Sequence, residues 1–308
     1  MRSLVRYAYV PFMLVAVAGS AIWLAAENAP QPILPFLVVA AIAASFLAER
    51  IAPTDLDWNV DHDDARRDVV HTLVNEGVVA LSVAALPVLA GVLSVGDSWP
   101  HQVPFFAQVL GAVLVFDLGV TLAHLASHRI ELLWRFHAVH HSARRLYGLN
   151  GLMKHPVHQM IETTAGITPL LLIGIPENVA AALAACAAIQ LLLQHSNVDY
   201  RVGRLGTILA LNTGHRLHHL RWPGVGDVNF GLFTLIWDRL LGTYTPPGRI
   251  VTTDQLGIAA RPDYPTRYLA QLAEPFRSRP SHPENKPTTG RSRVPMVPTA
   301  RTAPSGGL

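Results

Sequence analysis

Residues 103–129 read VPFFAQVLGAVLVFDLGVTLAHLASHR. From Val103 to about Ala126 the segment is apolar, close to the ~20 residues that a bilayer core asks of a helix. His124 and His128 stand at its end, four apart, and helical geometry places residues four apart on one face. A membrane span that terminates in paired imidazoles is therefore the first reading, and both halves of it recur along the chain.

Three further stretches have spanning length: Tyr7 to Ala26, Ala29 to Ala48 and Gly77 to Gly96. The first has the short basic start of a signal peptide, at Arg2 and Arg6. A second apolar segment follows at once, and no small-x-small cleavage site precedes Glu27, so an uncleaved helix is expected. Ile161 to Ile175 and Asn178 to Leu193 form a later pair around the turn-like Pro176-Glu177; the first member is short for a full crossing.

Placement of basic residues orients the spans, because Lys and Arg are retained on the cytoplasmic side. With the N-terminus inside, the outer segments Glu27 to Gln31, Val95 to Gln102 and Gly174 to Glu177 contain neither. Arg2, Arg6, Arg50, Arg66, Arg67, the Arg129 to Lys154 stretch and everything after Arg201 then fall inside. The expected fold is all-α, a polytopic transmembrane helical bundle with a cytoplasmic histidine-rich cap and both termini on the cytoplasmic side.

Composition agrees. Half of the 308 residues are hydrophobic and only 15% are charged, against about 25% in ordinary soluble domains. A single cysteine, Cys186, excludes an intrachain disulfide, a cysteine-ligated zinc site and an iron–sulfur cluster, and its alanine-rich setting reads as a small buried hydrophobe. The net charge of +3 lacks the aromatic interleaving of a nucleic-acid surface, so no nucleic-acid partner is expected. From about Glu274 the chain is Pro-, Ser-, Thr-, Arg- and Gly-rich and is expected to be a disordered tail, 274–308, with His282 solvated in it.

Eleven of the fifteen histidines lie between His124 and His219. After His124 and His128 come His137, His140 and His141 at spacings of three and four, then His195 closing an apolar run, then His215, His218 and His219 with the same triplet spacing. Neutral imidazoles donate lone pairs to borderline metals such as Fe, Zn, Cu and Ni. Nine such donors exceed the needs of one ion, and divided between two they leave room for a further ligand. Ionisable side chains crowded beside a bilayer are costly unless they are paired or functional. His155 and His158 sit in the loop and turn beside the clusters and read as hydrogen-bond partners of the ligands, substrate contacts or surface groups, with metal ligation by either left open. His62, His71 and His101 lie outside the cluster region and read as solvated or interfacial. No His-Glu-x-x-His motif supports a zincin, and a haem would leave most of these rings idle.

The order of these motifs resembles the fatty acid hydroxylase superfamily, which includes sterol desaturases and sterol methyl oxidases. The resemblance is carried by Asp117, by His124-Leu125-Ala126-Ser127-His128-Arg129, and by Leu133-Trp134-Arg135-Phe136-His137 leading to His140-His141-Ser142. It continues through His155-Pro156, Gln194-His195-Ser196-Asn197, His215 to His219, Asn229-Phe230-Gly231 and Trp237-Asp238-Arg239-Leu240-Leu241-Gly242-Thr243. It spans Phe116 to Tyr244, about two-fifths of the chain. Thr121-Leu122 and Leu125 stand where the family often has a Tyr-Trp pair and an arginine, which touches packing rather than the ligands.

The resemblance implies transmembrane helices over 1–100, a catalytic domain over 101–250, and two iron ions at the membrane boundary. It implies His124, His128, His137, His140, His141, His195, His215, His218 and His219 as ligands, and O2-dependent hydroxylation or desaturation of a fatty acyl chain or sterol. Asn197 is set near the metals, while Asp117 and Asp238 are expected at most to orient rings or pair charges. Trp134, Phe136, Trp222 and Trp237 read as core or interfacial aromatics. Cleaving an unactivated C–H bond exceeds what side chains supply, so the cofactor must carry that chemistry, with the lipid presented from the bilayer side. Without a cysteine framework or nucleotide loop, electrons must come from a separate reductase or small electron carrier. Arg129, Arg135, Arg144, Arg145 and Arg221 would form its docking face, or would instead set topology and bind anionic headgroups. The alternative class is a membrane metal-binding protein or zinc transporter without oxidative turnover.

Overall fold

The computed structural model describes residues 1–30, 32–93, 96 and 98–277. The sequence rises into helix α1, Arg2–Ala26, whose turns widen to a π-type stretch at Phe12–Ala18 directly after Pro11. Proline has no N–H to give and its ring crowds the preceding carbonyl, so the regular ladder is interrupted there. Helix α2, Ile33–Ile51, begins later than the expected Ala29 because Pro30 and Pro32 hold its start. Helix α3, Ala65–Leu93, begins well before the expected Gly77. Its first turns carry Arg67, Asp68, His71 and Asn75, which look like solvated loop in the sequence yet are all buried.

Helix α4 is Phe105–Arg129, followed by α5 (Glu131–His141), α6 (Pro156–Leu172) and α7 (Glu177–His195). The short helices α8 (Asn212–His218), α9 (Ile236–Leu241) and α10 (Tyr268–Ala273) complete the chain. Among the described residues there are no strands, only isolated bridges at Pro53 with Val198 and Leu209 with Thr234. The all-α expectation is met. Among the described residues five helices, α1 to α4 and α7, are long and apolar enough to cross a membrane; α6 is too short to count among them.

Burial separates the inner helix from the outer ones. The apolar window of α7 is 78% buried, whereas that of α3 is only 17% buried. Helix α7 is thus the axis of the bundle, and α3 turns Leu73, Leu81, Val88 and Val92 outward. Large apolar side chains also point outward from α1 (Val15, Trp23), α2 (Phe36, Val39, Leu47) and α4 (Phe106, Leu110). Exposed apolar side chains along helices of spanning length suit a lipid-facing belt. Cys186 is buried inside it, as expected.

Helices α4 and α6 approach most closely at two glycines. A Cβ on Gly119 would lie 2.2 Å from the Ala165 carbonyl oxygen, and one on Gly166 would lie 2.6 Å from the Phe116 ring. Gly119→Val should therefore push the helices apart and destabilise by at least the ~1–3 kcal/mol typical of overpacking, read as a lowered thermal midpoint of the purified protein.

Above the helix ends, buried polar groups lock the cap. Arg145 forks onto Asp64 at 2.6–3.0 Å and donates to the Trp58 carbonyl. It is 4% exposed, so it is no part of the arginine face expected from sequence. Arg129 and Arg144 are exposed, and Arg135 and Arg221 are half-buried. His71 is likewise not solvated: it is enclosed between the Lys154 carbonyl at 2.9 Å and the Gln271 amide oxygen at 2.8 Å, which ties α3 to α10. His62 and His101 lie on the surface. Residues 274–277 belong to the fold, with Glu274 buried and paired to Arg261; the rest of the expected tail, His282 included, lies outside the described residues.

Candidate metal centre

Four helix ends bring the nine histidines together. His124 and His128 come from the last turns of α4, His137, His140 and His141 from α5, His195 from the end of α7, and His215 and His218 from α8, with His219 just beyond it. All are buried. They sort into two groups, His124, His128, His137, His141 and His218 in one and His140, His195, His215 and His219 in the other, with donor atoms in each group within 4.8 Å of one another.

The inward atoms are Nε2. In the first group His124 Nε2 lies 2.9 Å from His218 and 3.0 Å from His137, and His141 Nε2 lies 3.0 Å from His137 and 3.2 Å from His128. In the second, His195 Nε2 lies 3.0–3.2 Å from those of His140, His215 and His219. Around an ion with metal–nitrogen bonds of about 2.1 Å, neighbouring ligand nitrogens sit roughly 3.0–3.4 Å apart. The observed spacings are those of coordination polyhedra.

In five of the rings the outer nitrogen fixes the tautomer. Nδ1 of His124, His140, His195 and His218 faces the carbonyl oxygens of Phe230, Met153, Leu191 and Val228 at 2.9–3.1 Å. A carbonyl only accepts, so Nδ1 carries the hydrogen and Nε2 keeps its lone pair facing inward. His128 does the same against the Asp227 carboxylate at 2.9 Å. Burial, reinforced by the neighbouring rings, holds His137, His140, His141, His215, His218 and His219 well below the ordinary imidazole range, so these rings are neutral donors. Inward lone pairs massed without protons between them would repel, and cations would neutralise that arrangement; the residues fit two metal ions.

Two carboxylates splint the loop behind the first group. Asp117 accepts from the backbone N–H of Leu232, Phe233 and Thr234 and from the Thr234 hydroxyl, all at 2.8–3.0 Å. Asp238 accepts from the N–H of Phe230 and Gly231 and from the Thr243 hydroxyl. Neither touches a ring; both hold the carbonyl of Phe230 against His124. Asn197 stands farther off, bonded to the Asp55 carbonyl and Asn59, while its own N–H goes to Glu49. His155 caps α6 by accepting from the Val157 N–H, and its ring packs on Phe136 and Phe276. The structure therefore places both Asn197 and His155 away from the imidazole groups.

Sequence reading did not single out Asp227, which follows a turn with no spacing signal. It left His158 open, yet that ring is wholly buried 4.3 Å, centroid to centroid, from His137. Its i,i+4 relation to Glu162 on α6 was the signal available. Trp134 packs against His128 and His141. A pocket opens onto the first group between Ile130, Glu131, Trp134, Arg221, Asp227 and Ile258. A second space, about 10 Å³ and enough for roughly one water, lies among His124, His140, His195, His215, Lys154 and Gln194 and so touches both groups.

The fatty acid hydroxylase family model matches residues 109–243, which contain all nine rings. The ornithine lipid hydroxylase of Rhizobium tropici is 34% identical over 250 residues, covering 78% of this chain and 74% of that protein. The alkylglycerol monooxygenase of Danio rerio is 34% identical over 138 residues, 44% of this chain and 30% of that protein. A very-long-chain aldehyde decarbonylase of Oryza sativa subsp. indica is 27% identical over 158 residues, 50% of this chain and 60% of that protein. No solved structure matches the chain. On the first relative's identity and coverage, with the family match over the segment that carries every one of these histidines, the chain belongs to the fatty acid hydroxylase family.

Proposed function

We propose that this protein is a membrane-embedded lipid oxygenase that holds two iron ions in its histidine groups, takes O2 as co-substrate and receives electrons from a separate reductase or small carrier. The carrying observation is the pair of imidazole groups with their Nε2 atoms gathered inward, five of the nine rings having the outer nitrogen on a fixed acceptor that leaves the inward lone pair free. Bound iron would supply the oxidising power for a C–H bond that no side chain can oxidise. His124, His128, His137, His141 and His218 would hold one ion, and His140, His195, His215 and His219 the other.

The protein's own contribution is orientation and exclusion of water. The pocket over the first group mixes apolar Ile130, Trp134, Leu220 and Ile258 with charged Glu131 and Arg221, which suits a molecule with an apolar chain and a polar head. Relatives named as an ornithine lipid hydroxylase and an alkylglycerol monooxygenase support a lipid substrate and insertion of oxygen. The basic residues inside the predicted topology support a cytoplasmic cap. Gathering of the ligands at one end of α4 and α7, not along the spans, favours an enzyme over a zinc transporter.

The test is metal analysis and spectroscopy of protein purified without oxygen, together with mass spectra of lipids from expressing and deleted cells. Two coupled irons per chain and a lipid that gains one oxygen atom or loses two hydrogens are expected. Protein that retains only zinc, in cells whose lipids are unchanged, would overturn the reading in favour of metal binding without turnover.

A further inference from the structure

A third cluster shares His137 with the first group and adds two residues assigned to neither ion. Donor atoms of His137, His158 and Glu162 lie within 4.8 Å of one another, all three residues buried. The outer nitrogen of His137, Nδ1, is buried with no hydrogen-bond partner, where His124, His128 and His218 each have a fixed acceptor. His158 Nδ1 is also buried and unpartnered.

The protons can be assigned in sequence. The Ser127 hydroxyl donates to the Ala123 carbonyl at 2.8 Å, so its oxygen is left to accept from His158 Nε2, 3.0 Å away. With its hydrogen on Nε2, His158 presents a lone pair at Nδ1. Glu162 Oε2 lies 3.8 Å from that atom and is paired with the Lys154 ammonium. Two acceptors, a ring nitrogen and a carboxylate, therefore stand beside a first-group ring whose outer nitrogen is buried without an acceptor. The ammonium on Glu162 argues against a third metal ion, since a cation already compensates the carboxylate.

We propose that His158 and Glu162 are positioning residues for His137: a water that donates to both of them accepts the His137 Nδ1 hydrogen, which leaves the Nε2 lone pair of His137 facing the first metal. This rests on the two-metal reading above. Partners of this kind typically change metal affinity by ~10–100-fold.

The test counts metal per chain after dialysis against a graded chelator. His158→Phe keeps a planar aromatic ring, slightly larger, and removes the acceptor; His158→Asn restores an acceptor near Nδ1. With wild type holding two ions, the Phe variant is expected to release one of them at ~10–100-fold lower chelator strength while keeping the other, and the Asn variant to regain most of that loss. Glu162→Gln is expected to weaken the same ion. Thermal midpoints of the metal-free variants report packing separately. Equal loss in the Phe and Asn variants, release of both ions together, no loss in the Phe variant, or a third ion displaced by Glu162→Gln would each overturn the proposal. A wild type that binds no metal pair would sink the functional reading itself, a distinguishable result.

Discussion

A His218→Ala variant is expected to lose lipid oxidation by on the order of a hundredfold or more, and to retain about one metal ion in place of two. The ring sits where the helices converge: its Nε2 is 2.9 Å from that of His124, its Nδ1 is held 3.0 Å from the Val228 carbonyl, and its plane stacks on His215 of the second group. Alanine removes a donor and leaves a polar hole beside the ion that the first group would hold, whose remaining ligands would come from α4 and α5. The comparison is His62→Ala, an exposed ring bonded to the Asp57 carbonyl, which should leave metal content and product formation unchanged. Equal metal content and equal lipid products in the two variants would contradict the assignment of His218 as a ligand.

What the sequence made legible divides along physical lines. Histidine spacings of three and four are local geometry, so the one-faced clusters on α4, α5 and α8 could be read directly. Apolar runs of spanning length are equally local, and α1, α2, α4 and α7 appear close to where hydropathy puts them. The start of α3 was not legible. Arg67, Asp68, His71 and Asn75 are polar and look like a loop, and only long-range partners explain their burial: Tyr147 and Asn150 on Asp68, and the Leu152 and Lys154 carbonyls on Asn75. Arg145 was misread for the same reason, because Asp64 lies far from it along the chain. How the nine rings divide between two groups was equally hidden. His137 and His140 stand one turn apart on α5 yet fall in different groups, a choice set by where α7 and α8 arrive.

Asp117→Ala is expected to destabilise the fold by on the order of 3–5 kcal/mol, the largest stability effect anticipated outside the imidazole groups. The carboxylate is wholly buried and accepts four hydrogen bonds, three of them from consecutive backbone N–H groups of 232–234. Each such bond to a charged acceptor contributes about 1.5–3 kcal/mol, and a buried N–H left without a partner costs a comparable amount. Asparagine is no conservative replacement: its oxygen can serve one pair of donors, but its amide then faces the others with hydrogens of its own. Asp117→Asn should therefore also lower the thermal midpoint, by less than alanine. The functional consequence follows through the chain of contacts. Loosening 232–234 frees Phe230, whose carbonyl fixes the His124 tautomer at 2.9 Å, so the variants should also lose the first metal more readily than the second. Asp238 grips the same segment from the other side, and because the two carboxylates share it, the double variant should cost less than the sum of the single ones. An Asp117→Ala protein that melts like wild type would show that the loop is held by something other than this carboxylate.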